Sequence, residues 1–406
     1  MEPNRPQKTI RHGNWTFNYG SKNIFNNTFT IDTIDENKFS YLNSVPAEHS
    51  KDNCLSNSDI DDFRRASVIH KLARAKSLTF LCSGKKLSDL VNAVEELIIK
   101  MCKQDINKYY KEVTTQGIAF PVGVNINNVV AHDSKLTTIV DDRIFYKGDV
   151  VKVDIGVHVN GRIIDSAFTH IITDKAGVHD KDNIYNSVLE ASRDSMFSAI
   201  KMLGSDQLIT DISETISDII KSYEVDMGDG VTLPIKPVQG IGGHNIKQYQ
   251  IHGGKLILSS PDYNIQKDQR IEEDEIYAIE TYTTTGYGVM TQNDEMDNCT
   301  HYMEPSHRDI ESNPNISKHD KKAFRKTELH DWLKNRKGLP FSLSWINHGV
   351  NFVPGIKKAL NIAIPSGQIV AYPPLKDEDG SVVAQFEHTV HVRDNTVEIF
   401  SLGTDY

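Results

Sequence analysis

The chain contains little cysteine and no long apolar segment. Its four cysteines (Cys54, Cys82, Cys102 and Cys299) lack the paired spacing of a zinc or redox motif, which argues against a disulfide scaffold and suits a reducing compartment. No apolar run approaches the ~18–20 residues of a membrane span, and residues 1–7 lack the apolar core of a signal peptide. We therefore expect a cytoplasmic protein that does not contact membranes.

The chain also lacks an excess of positive charge. Its 55 acidic residues outnumber its 45 Lys and Arg residues, and the net charge is -10. Nucleic-acid recognition generally needs a basic surface, so this balance argues against DNA or another nucleic acid as the main partner. We expect a monomer.

What is present is an ordinary globular composition of 38% hydrophobic and 25% charged residues. A length of 406 residues predicts two or three domains, or one large domain with insertions. We expect four segments: a polar N-terminal extension over 1–56, a main domain over 57–304, a helical insertion over 305–370, and strands that complete the main domain over 371–406.

The spacing of apolar residues predicts the order of the elements. A first helix is expected to begin with Ser58 as its N-cap, and a second to follow Ser88. Further along we expect strands over 117–172, a helical stretch over 184–223, strands again from about 234, and a final strand pair over 381–392 and 396–402. Helices and strands that occur in blocks predict an α+β fold with a curved antiparallel sheet.

The Asn160-Gly161 dipeptide, between alternating apolar residues, predicts a two-residue hairpin turn. That turn places Asp154 opposite Ala167. Because Asp165 shares the face of Ala167, the two carboxylates become diagonal neighbours about 7–8 Å apart at the backbone. Two acids on a buried face repel each other unless cations lie between them. The alternative is a chance pair of acids on a solvated face.

Four further polar side chains lie in apolar or glycine-rich segments. Glu280 and Glu387 each interrupt an apolar strand, where a lone charge is costly. His244 follows two glycines, which allow close approach of the backbone, and an extended segment would put His252 on the same face. Taken singly, such a glutamate often pairs with Lys or Arg, and a lone histidine is usually packed in the core.

Two Asp, two Glu and one His together favour a metal site. These candidate ligands are Asp154, Asp165, His244, Glu280 and Glu387. An oxygen-rich set with one imidazole and no thiolate favours a pair of Mn, Co, Fe or Zn ions over a structural zinc. Two such ions activate water and polarise a carbonyl, so hydrolysis is the predicted chemistry.

In this order, the five residues resemble the ligand set of the pita-bread (creatinase/aminopeptidase) metallopeptidases of family M24. The surrounding motifs are most similar to those of the type 2 methionine aminopeptidase family, from about residue 57 to the end. The motifs are Gly117-Ile-Ala-Phe-Pro-Val-Gly, Asn127-Asn-Val-Val-Ala-His132, Gly161-Arg-Ile-Ile-Asp165-Ser-Ala-Phe-Thr, Gly243-His-Asn-Ile-Lys-Gln-Tyr-Gln-Ile-His252, Tyr277-Ala-Ile-Glu-Thr, His301-Tyr-Met, Tyr372-Pro-Pro-Leu and Ala384-Gln-Phe-Glu-His-Thr.

The resemblance implies a pita-bread fold with a helical, winged-helix-like insertion subdomain over 305–370. It implies that Asp154 chelates one metal ion, that Asp165 and Glu387 bridge both, and that His244 and Glu280 complete the other. The implied catalytic residues are His132, His252 and Glu280, and the implied substrate-binding residues are Phe120, His132, Ile251, His252, His301 and Tyr372.

The activity that the resemblance implies is removal of the initiator methionine from nascent polypeptides whose second residue is small. It also implies alkylation of His132 by fumagillin-type spiroepoxides. Two alternatives are a catalytically inactive RNA- or ribosome-binding homologue and a proline dipeptidase. The complete ligand set counts against the first, and the insertion, His132 and the His301-Tyr-Met segment count against the second.

The insertion has its own charge pattern, which opens the alternative of ribosome association through a basic face. A solvated charged face is the more common meaning of such a run. The basic residues are Lys318, Lys321, Lys322, Arg325, Lys326, Lys334, Arg336 and Lys337. The match of the tail, residues 403–406, suggests that the C-terminus is buried near the site.

Overall fold

The structure is a computed structural model that describes residues 8–12, 15–19, 55–103, 115–136, 141–292, 299–305, 307–346, 355–393 and 396–403. Most of the predicted N-terminal extension and residues 404–406 of the tail lie outside these ranges, so the expectation of a buried C-terminus stays a prediction. Of the extension, the backbone of two paired antiparallel strands is described. No helix in the described ranges combines the length and apolar composition needed to cross a membrane.

The described residues form helices and mostly short strands, with two long strand pairs at the centre. The helices are α1 (Asn57–Leu78), α2 (Leu87–Met101), α3 (Asn186–Met202), α4 (Ile209–Lys221), α5 (Tyr263–Gln266), α6 (His307–Ser312), α7 (Lys318–Phe324), α8 (Glu328–Leu333) and α9 (Ile356–Ala363), with a 3-10 turn at Leu343–Trp345. The strands are β1 (Lys8–His12), β2 (Trp15–Tyr19), β3 (Gln116–Ile118), β4 (Gly123–Ile126), β5 (Val129–Ala131), β6 (Val150–Val159), β7 (Arg162–Ile171), β8 (Glu224–Asp226), β9 (Thr232–Pro234), β10 (Lys236–Pro237), β11 (Gly242–Ile246), β12 (Leu256–Leu258), β13 (Ile276–Thr284), β14 (Thr291–Gln292), β15 (His301–Met303), β16 (Val370–Tyr372), β17 (Leu375–Lys376), β18 (Val383–Arg393) and β19 (Thr396–Ile399).

The molecule is built from two similar halves, each an antiparallel strand pair backed by a helix. In the first half β6 pairs with β7, and α1 packs on both strands. In the second half β13 pairs with β18, and α3 packs on both. The halves meet where β7 lies beside β18: Thr169 Oγ1 donates to Gln385 O at 2.7 Å, and Ser166 Oγ donates to Glu387 O at 2.7 Å. This arrangement confirms the predicted α+β fold.

Side-chain alternation assigns one face of the sheets to the helices and the other to the site. Thr281 donates its hydroxyl to Ser192 O of α3 at 2.7 Å, so Thr281 points toward the helices. Glu280 is the next residue along β13 and therefore points to the opposite face. Asp165 of β7 lies on the same face as Glu280, since carboxylate oxygens of both lie within 4 Å of His244 Nε2.

The hairpin turn forms as predicted. Asn160 and Gly161 have φ of 50° and 77°, which is the left-handed conformation required at both positions of a type I′ turn. The register pairs Val159 with Arg162 and Asp154 with Ala167, which confirms the predicted alignment. A β-carbon on Gly161 would lie 2.3 Å from the Tyr249 ring, so only glycine fits this position.

The predicted helix starts are wrong by a few residues. The N-cap of α1 is Ser56, not Ser58, and it forms a capping box in which Asp59 N donates to Ser56 Oγ and Ser56 N donates to Asp59. Helix α2 begins at Leu87, so Ser88 lies inside it and the cap position, Lys86, has no side-chain hydrogen bond. Ser56 and Ser58 both precede apolar residues, and the spacing of those residues does not decide which serine is the N-cap.

Two other boundaries also differ from the prediction. The helical stretch expected over 184–223 is interrupted between α3 and α4, where the C-cap Leu203 is extended (ψ 127°). Strands resume at Glu224, ten residues earlier than the expected position near 234, because a short hairpin of β8 and β9 precedes it. The final strand pair, β18 with β19, lies where it was expected.

Helices α6 to α9 and the 3-10 turn occupy the region of the predicted insertion. Phe324, Leu329, Trp332 and Leu333 are buried, as expected for an apolar helix face. The prediction that Arg336 belongs to a basic surface is wrong: this side chain is only 7% exposed. Its guanidinium is held by backbone carbonyls and by the face of Trp345.

Candidate active site

The four carboxylates of the site come from the central strands of the two halves. Asp154 lies on β6 and Asp165 on β7, where Gly156 is the direct partner of Asp165. Glu280 on β13 and Glu387 on β18 are direct cross-strand partners. Because β7 lies beside β18, these positions bring all four acids to one place on the face away from the helices.

The imidazole of His244 completes the cluster. Its strand, β11, pairs with β13 and places His244 beside Ala278, two residues from Glu280. The Nε2 atom of His244 lies 3.6 Å from Asp165 Oδ2 and 3.9 Å from Glu280 Oε1. One ligand atom each from Asp165, His244 and Glu387 lie within 4.8 Å of one another. This is the separation expected of groups that share a cation.

Burial sets the electrostatics of the cluster. It raises the pKa of Asp154 to about 6, and together with the charge of Asp154 it raises the pKa of Glu280 to about 8. Burial and mutual repulsion raise the pKa values of Asp165 and Glu387 well above their usual range. Burial lowers the pKa of His244 well below its usual range, so the imidazole is neutral. Neighbouring buried carboxylates need added positive charge to ionise together.

The donor set therefore fits divalent cations. Asp154 Oδ1 is enclosed and has no hydrogen-bond partner among the described residues, which suits an atom that coordinates a metal. Carboxylate oxygens with a neutral imidazole are the donors that Mn, Fe, Co and Zn accept. The same residues were candidate ligands in the sequence, and the structure brings all five together.

His252 lies beside the cluster for a reason that the sequence did not show. The rings of His244 and His252 are edge to face with centroids 4.4 Å apart. The segment between them is not extended, because β11 ends at Ile246. After this strand, Lys247 pairs with Gln250 across a tight turn. The turn reverses the chain, with Tyr249 at φ 58°, and returns His252 to the site.

A cavity of about 260 Å³ opens onto the carboxylates. Every residue predicted for the site lines it, together with apolar side chains from both halves. The lining residues predicted from the sequence are Phe120, His132, Asp154, Asp165, His244, Ile251, His252, Glu280, His301, Tyr372 and Glu387. The cavity lining therefore combines the four carboxylates with apolar and aromatic side chains.

His132 lies in the cavity wall in a constrained conformation. Its φ is 67°, an uncommon value for a residue other than glycine. The ring lies 5.8 Å from that of His301 and 5.5 Å, edge-on, from that of Tyr372. Burial and the neighbouring histidines lower the pKa of His132 to about 3, so the ring is neutral. His301 is fixed in turn by Thr300 Oγ1 at 2.9 Å and Pro121 O at 3.2 Å.

Two polar residues at the site were missed by sequence reasoning. Gln385 Nε2 donates to Glu280 Oε2 at 3.0 Å and also hydrogen-bonds to Asp154. Tyr282 hydrogen-bonds to Glu280 and lines the cavity. Each lies two residues from a ligand on its own strand, Gln385 before Glu387 and Tyr282 after Glu280. The period of two along a strand would have found both.

A family of known proteins matches most of this chain. The sequence model of Metallopeptidase family M24 matches residues 61–394. The fold and the site thus define a metallopeptidase, and the chain belongs to family M24.

Relatives within that family narrow the assignment. Methionine aminopeptidase 2 of Encephalitozoon intestinalis is 35% identical over 350 residues, which cover 86% of this chain and 88% of that protein. Methionine aminopeptidase 2 of Encephalitozoon hellem is 33% identical, with 87% of this chain and 90% of that protein covered. The chain therefore belongs to the methionine aminopeptidase 2 branch of the family, which confirms the resemblance seen in its motifs.

Solved structures support the fold alone, because their sequences are distant. A thermophilic Arx1 superposes with a TM-score of 0.66 at 15% identity and covers 87% of this chain and 93% of its own. The methionine aminopeptidase of Thermotoga maritima superposes with a TM-score of 0.55 at 16% identity and covers 86% of this chain and 98% of its own. These neighbours confirm the predicted pita-bread architecture.

Proposed function

We propose that this protein is a dinuclear-metal aminopeptidase that removes the initiator methionine from nascent polypeptides whose second residue is small. The observation that carries the proposal is the acidic cluster in a cavity that apolar side chains also line, in a chain of the methionine aminopeptidase 2 branch. The apolar lining suits a methionine side chain, and the carboxylates suit metal-assisted hydrolysis.

In this proposal the five ligands divide between two metal ions. Asp154 would hold one ion, Asp165 and Glu387 would serve both, and His244 and Glu280 would hold the other. A bound pair of Mn, Co, Fe or Zn ions supplies an activated water and polarises the scissile carbonyl. The enclosed, unpartnered Oδ1 of Asp154 and the 4.8 Å cluster of Asp165, His244 and Glu387 support metal binding by these residues.

The other steps belong to protein side chains. Asp154, partly exposed to the cavity, binds the free amine of the substrate, which an exopeptidase must recognise. Glu280 acts as general base for the attacking water, and Gln385 Nε2 orients its carboxylate. His132 and His252 hydrogen-bond to the scissile peptide and stabilise its tetrahedral intermediate. Both imidazoles line the cavity beside the carboxylates.

The methionine side chain is expected against the apolar and aromatic part of the cavity lining. Phe120, Ile251, His301 and Tyr372 form its walls, and all but Tyr372 are buried. The Phe120 ring is held against β6, since a β-carbon on Gly156 would lie 2.2 Å from it. A wall packed this closely selects the side chain by shape.

The test is release of methionine from a series of peptides Met-X-Ser. We expect fast cleavage when X is Ala, Gly, Ser, Thr or Val, and slow cleavage when X is Leu, Lys or Phe, because the family resemblance implies a narrow space beside the metal site. Chelator should abolish release, and added Mn or Co should restore it. Equal rates across the series would instead identify a broad aminopeptidase.

The same assay separates the two alternatives. An inactive ribosome-binding homologue would release no methionine with any metal, and a proline dipeptidase would cleave Met-Pro in preference to Met-Ala-Ser. Ribosome association, a monomeric state and a cytoplasmic location are also part of the proposal. Ribosome association is supported by Lys318, Lys322 and Lys326, which are exposed on the insertion. Two other basic residues of the insertion are paired with Glu311.

A further inference from the structure

The Arg336-Lys337 dipeptide follows α8 and contacts segments that belong to two different walls of the cavity. It lies in the insertion, outside the ligand cluster and outside the predicted substrate-binding residues. Arg336 is only 7% exposed, although arginine is rarely buried without a specific partner. Its contacts and those of Lys337 show what the dipeptide holds.

Arg336 ties together two segments of the first wall. Its Nη2 group donates to Ile118 O and Ala119 O, both at 3.1 Å, and to Pro340 O at 2.7 Å. The guanidinium also lies 4.9 Å from the Trp345 ring. A planar guanidinium presents several donors at fixed angles, so it defines the separation of the carbonyls that it bridges.

The residues joined in this way lie directly beside the cavity. Ala119 precedes Phe120, and both Phe120 and Pro340 line the cavity. From the other side, Ala119 N donates to Gly156 O at 2.9 Å. The backbone before Phe120 is thus held between β6 and Arg336, and Arg336 sets its distance from Pro340.

Lys337 reaches a second wall. Its ammonium lies 4.4 Å from the centroid of the Tyr249 ring and 3.1 Å from the phenol oxygen. Tyr249 belongs to the tight turn that returns His252 to the site, and Ile251 and His252 line the cavity just beyond it. Tyr249 N also donates to Gly161 O at 2.9 Å, which ties the turn to the β6–β7 hairpin.

We propose that Arg336 and Lys337 are positioning residues that set the separation of the two cavity walls, and with it the selectivity for the amino-terminal side chain. This inference rests on the proposed function, because the selected side chain is that of the substrate. Neither residue touches the reacting atoms, so both act through binding of the substrate side chain. The insertion thereby takes part in substrate selection from outside the ligand cluster.

The experiment compares full-length Arg336→Met and Lys337→Met with wild type on Met-Ala-Ser and Leu-Ala-Ser. Methionine keeps much of the side-chain length and removes the donors. We expect KM for Met-Ala-Ser to rise about five-fold with kcat within about two-fold, and the preference for Met over Leu to fall about ten-fold. Lys358→Met is the matched control, since Lys358 is an exposed lysine of α9 in the same insertion and has no role in the proposed function, and it should behave as wild type.

Conservative variants test the geometry. Lys337→Arg should retain the KM and preference of wild type, because arginine also stacks on an aromatic ring. Arg336→Lys should be intermediate, because an ammonium donates to carbonyls without the fixed fork of the guanidinium. If Arg336→Met does not fold, Tyr249→Leu removes both the ring and the phenol oxygen that Lys337 contacts and should still raise KM.

A purely structural role would give a different result. Met variants that melt at a lower temperature but keep the KM and the Met-over-Leu preference of wild type would overturn the proposal, as would a loss confined to kcat. A second readout does not need turnover: the Kd of L-methionine and of L-leucine for the Mn-loaded protein. Absence of methionine release by wild type would reject the proposed function, whereas equal Kd ratios in wild type and Arg336→Met would reject this inference.

Discussion

At the scale of single residues, the chemistry depends on carboxylates that the fold has removed from water. Glu387 is 1% exposed and Asp165 is 4% exposed, and burial raises the pKa values of both. The free energy needed to bury them is recovered when a cation binds between them. Removing one charge without changing the side-chain volume therefore tests the ligand set directly.

We predict that Glu387→Gln and Asp154→Asn each abolish methionine release while the fold remains. A neutral amide binds a hard cation more weakly than a carboxylate, and in the absence of metal it removes a repulsive charge. Activity on Met-Ala-Ser and bound metal by elemental analysis are the measurements, with circular dichroism as the control for folding. Retention of more than about a tenth of the wild-type rate, a barrier change under about 1.4 kcal/mol, would contradict the five-ligand set.

His132 supports a second prediction at this scale. Its pKa of about 3 leaves the ring neutral near pH 7, and a neutral imidazole is a competent nucleophile. We predict that a fumagillin-type spiroepoxide forms one adduct per chain on His132, and that His132→Asn is not labelled. Intact mass and peptide mapping give the answer, and an adduct on His252, His244 or Cys299 would show that the reactive end of the cavity lies elsewhere.

At the scale of elements, helix α1 carries the capping box of Ser56 and Asp59, and it packs behind β6 and β7. We predict that Ser56→Ala lowers the free energy of unfolding by about 1 kcal/mol, because it leaves a backbone donor at the helix start unpaired. Ser88→Ala is the control, since Ser88 lies inside α2 and caps nothing, and it should be neutral or slightly stabilising. Urea denaturation of both variants measures the free energy of unfolding. An equal decrease in the two variants would mean that the cap does not stabilise the helix.

Elements also show how far local sequence determines this fold. The Asn160-Gly161 dipeptide predicted the β6–β7 hairpin and its register correctly, because two-residue turns tolerate few residue types. The start of α1 did not follow, since Ser56 and Ser58 both precede apolar residues at helical spacing. The approach of His252 to His244 was expected from an extended segment, yet a turn containing Tyr249 produces it.

At the scale of the whole molecule, two sets of buried groups respond to pH in opposite directions. Histidines away from the ligands, such as His70, His158 and His170, have pKa values lowered to about 3 by burial. Below the unfolded value of about 6.5 the unfolded chain binds more protons, so stability falls as pH decreases from about 6.5 to 3. Asp154 and Glu280 behave in the opposite way when no metal is bound, because their pKa values are raised to about 6 and 8. The protonated carboxyl groups favour the folded state at low pH, and this stability is lost as the pH rises through the two pKa values.

Bound metal keeps the carboxylates ionised and so removes the second effect. We predict that the rise in Tm on adding Mn to chelator-treated protein is large at pH 7.5 and much smaller at pH 5.5, because protons compete for the ligands at the lower pH. Thermal melts in matched buffers at the two pH values provide the measurement. An equal Tm increment at both pH values would argue against metal binding by this carboxylate cluster.

The sequence by itself determined the candidate ligands, the central hairpin and the protein family, because an acid in an apolar strand, an Asn-Gly turn and the motifs around them are local features of the chain. Only the tertiary structure decided that Gln385 and Tyr282 support the ligands, and that Arg336 is buried against the backbone before Phe120. A run of basic residues looks the same in the sequence whether its side chains are exposed to solvent or buried. Whether such a side chain is buried depends on contacts between segments about 220 residues apart, such as that of Arg336 with Ile118 and Ala119. The spacing of residues along the chain does not predict contacts of this kind.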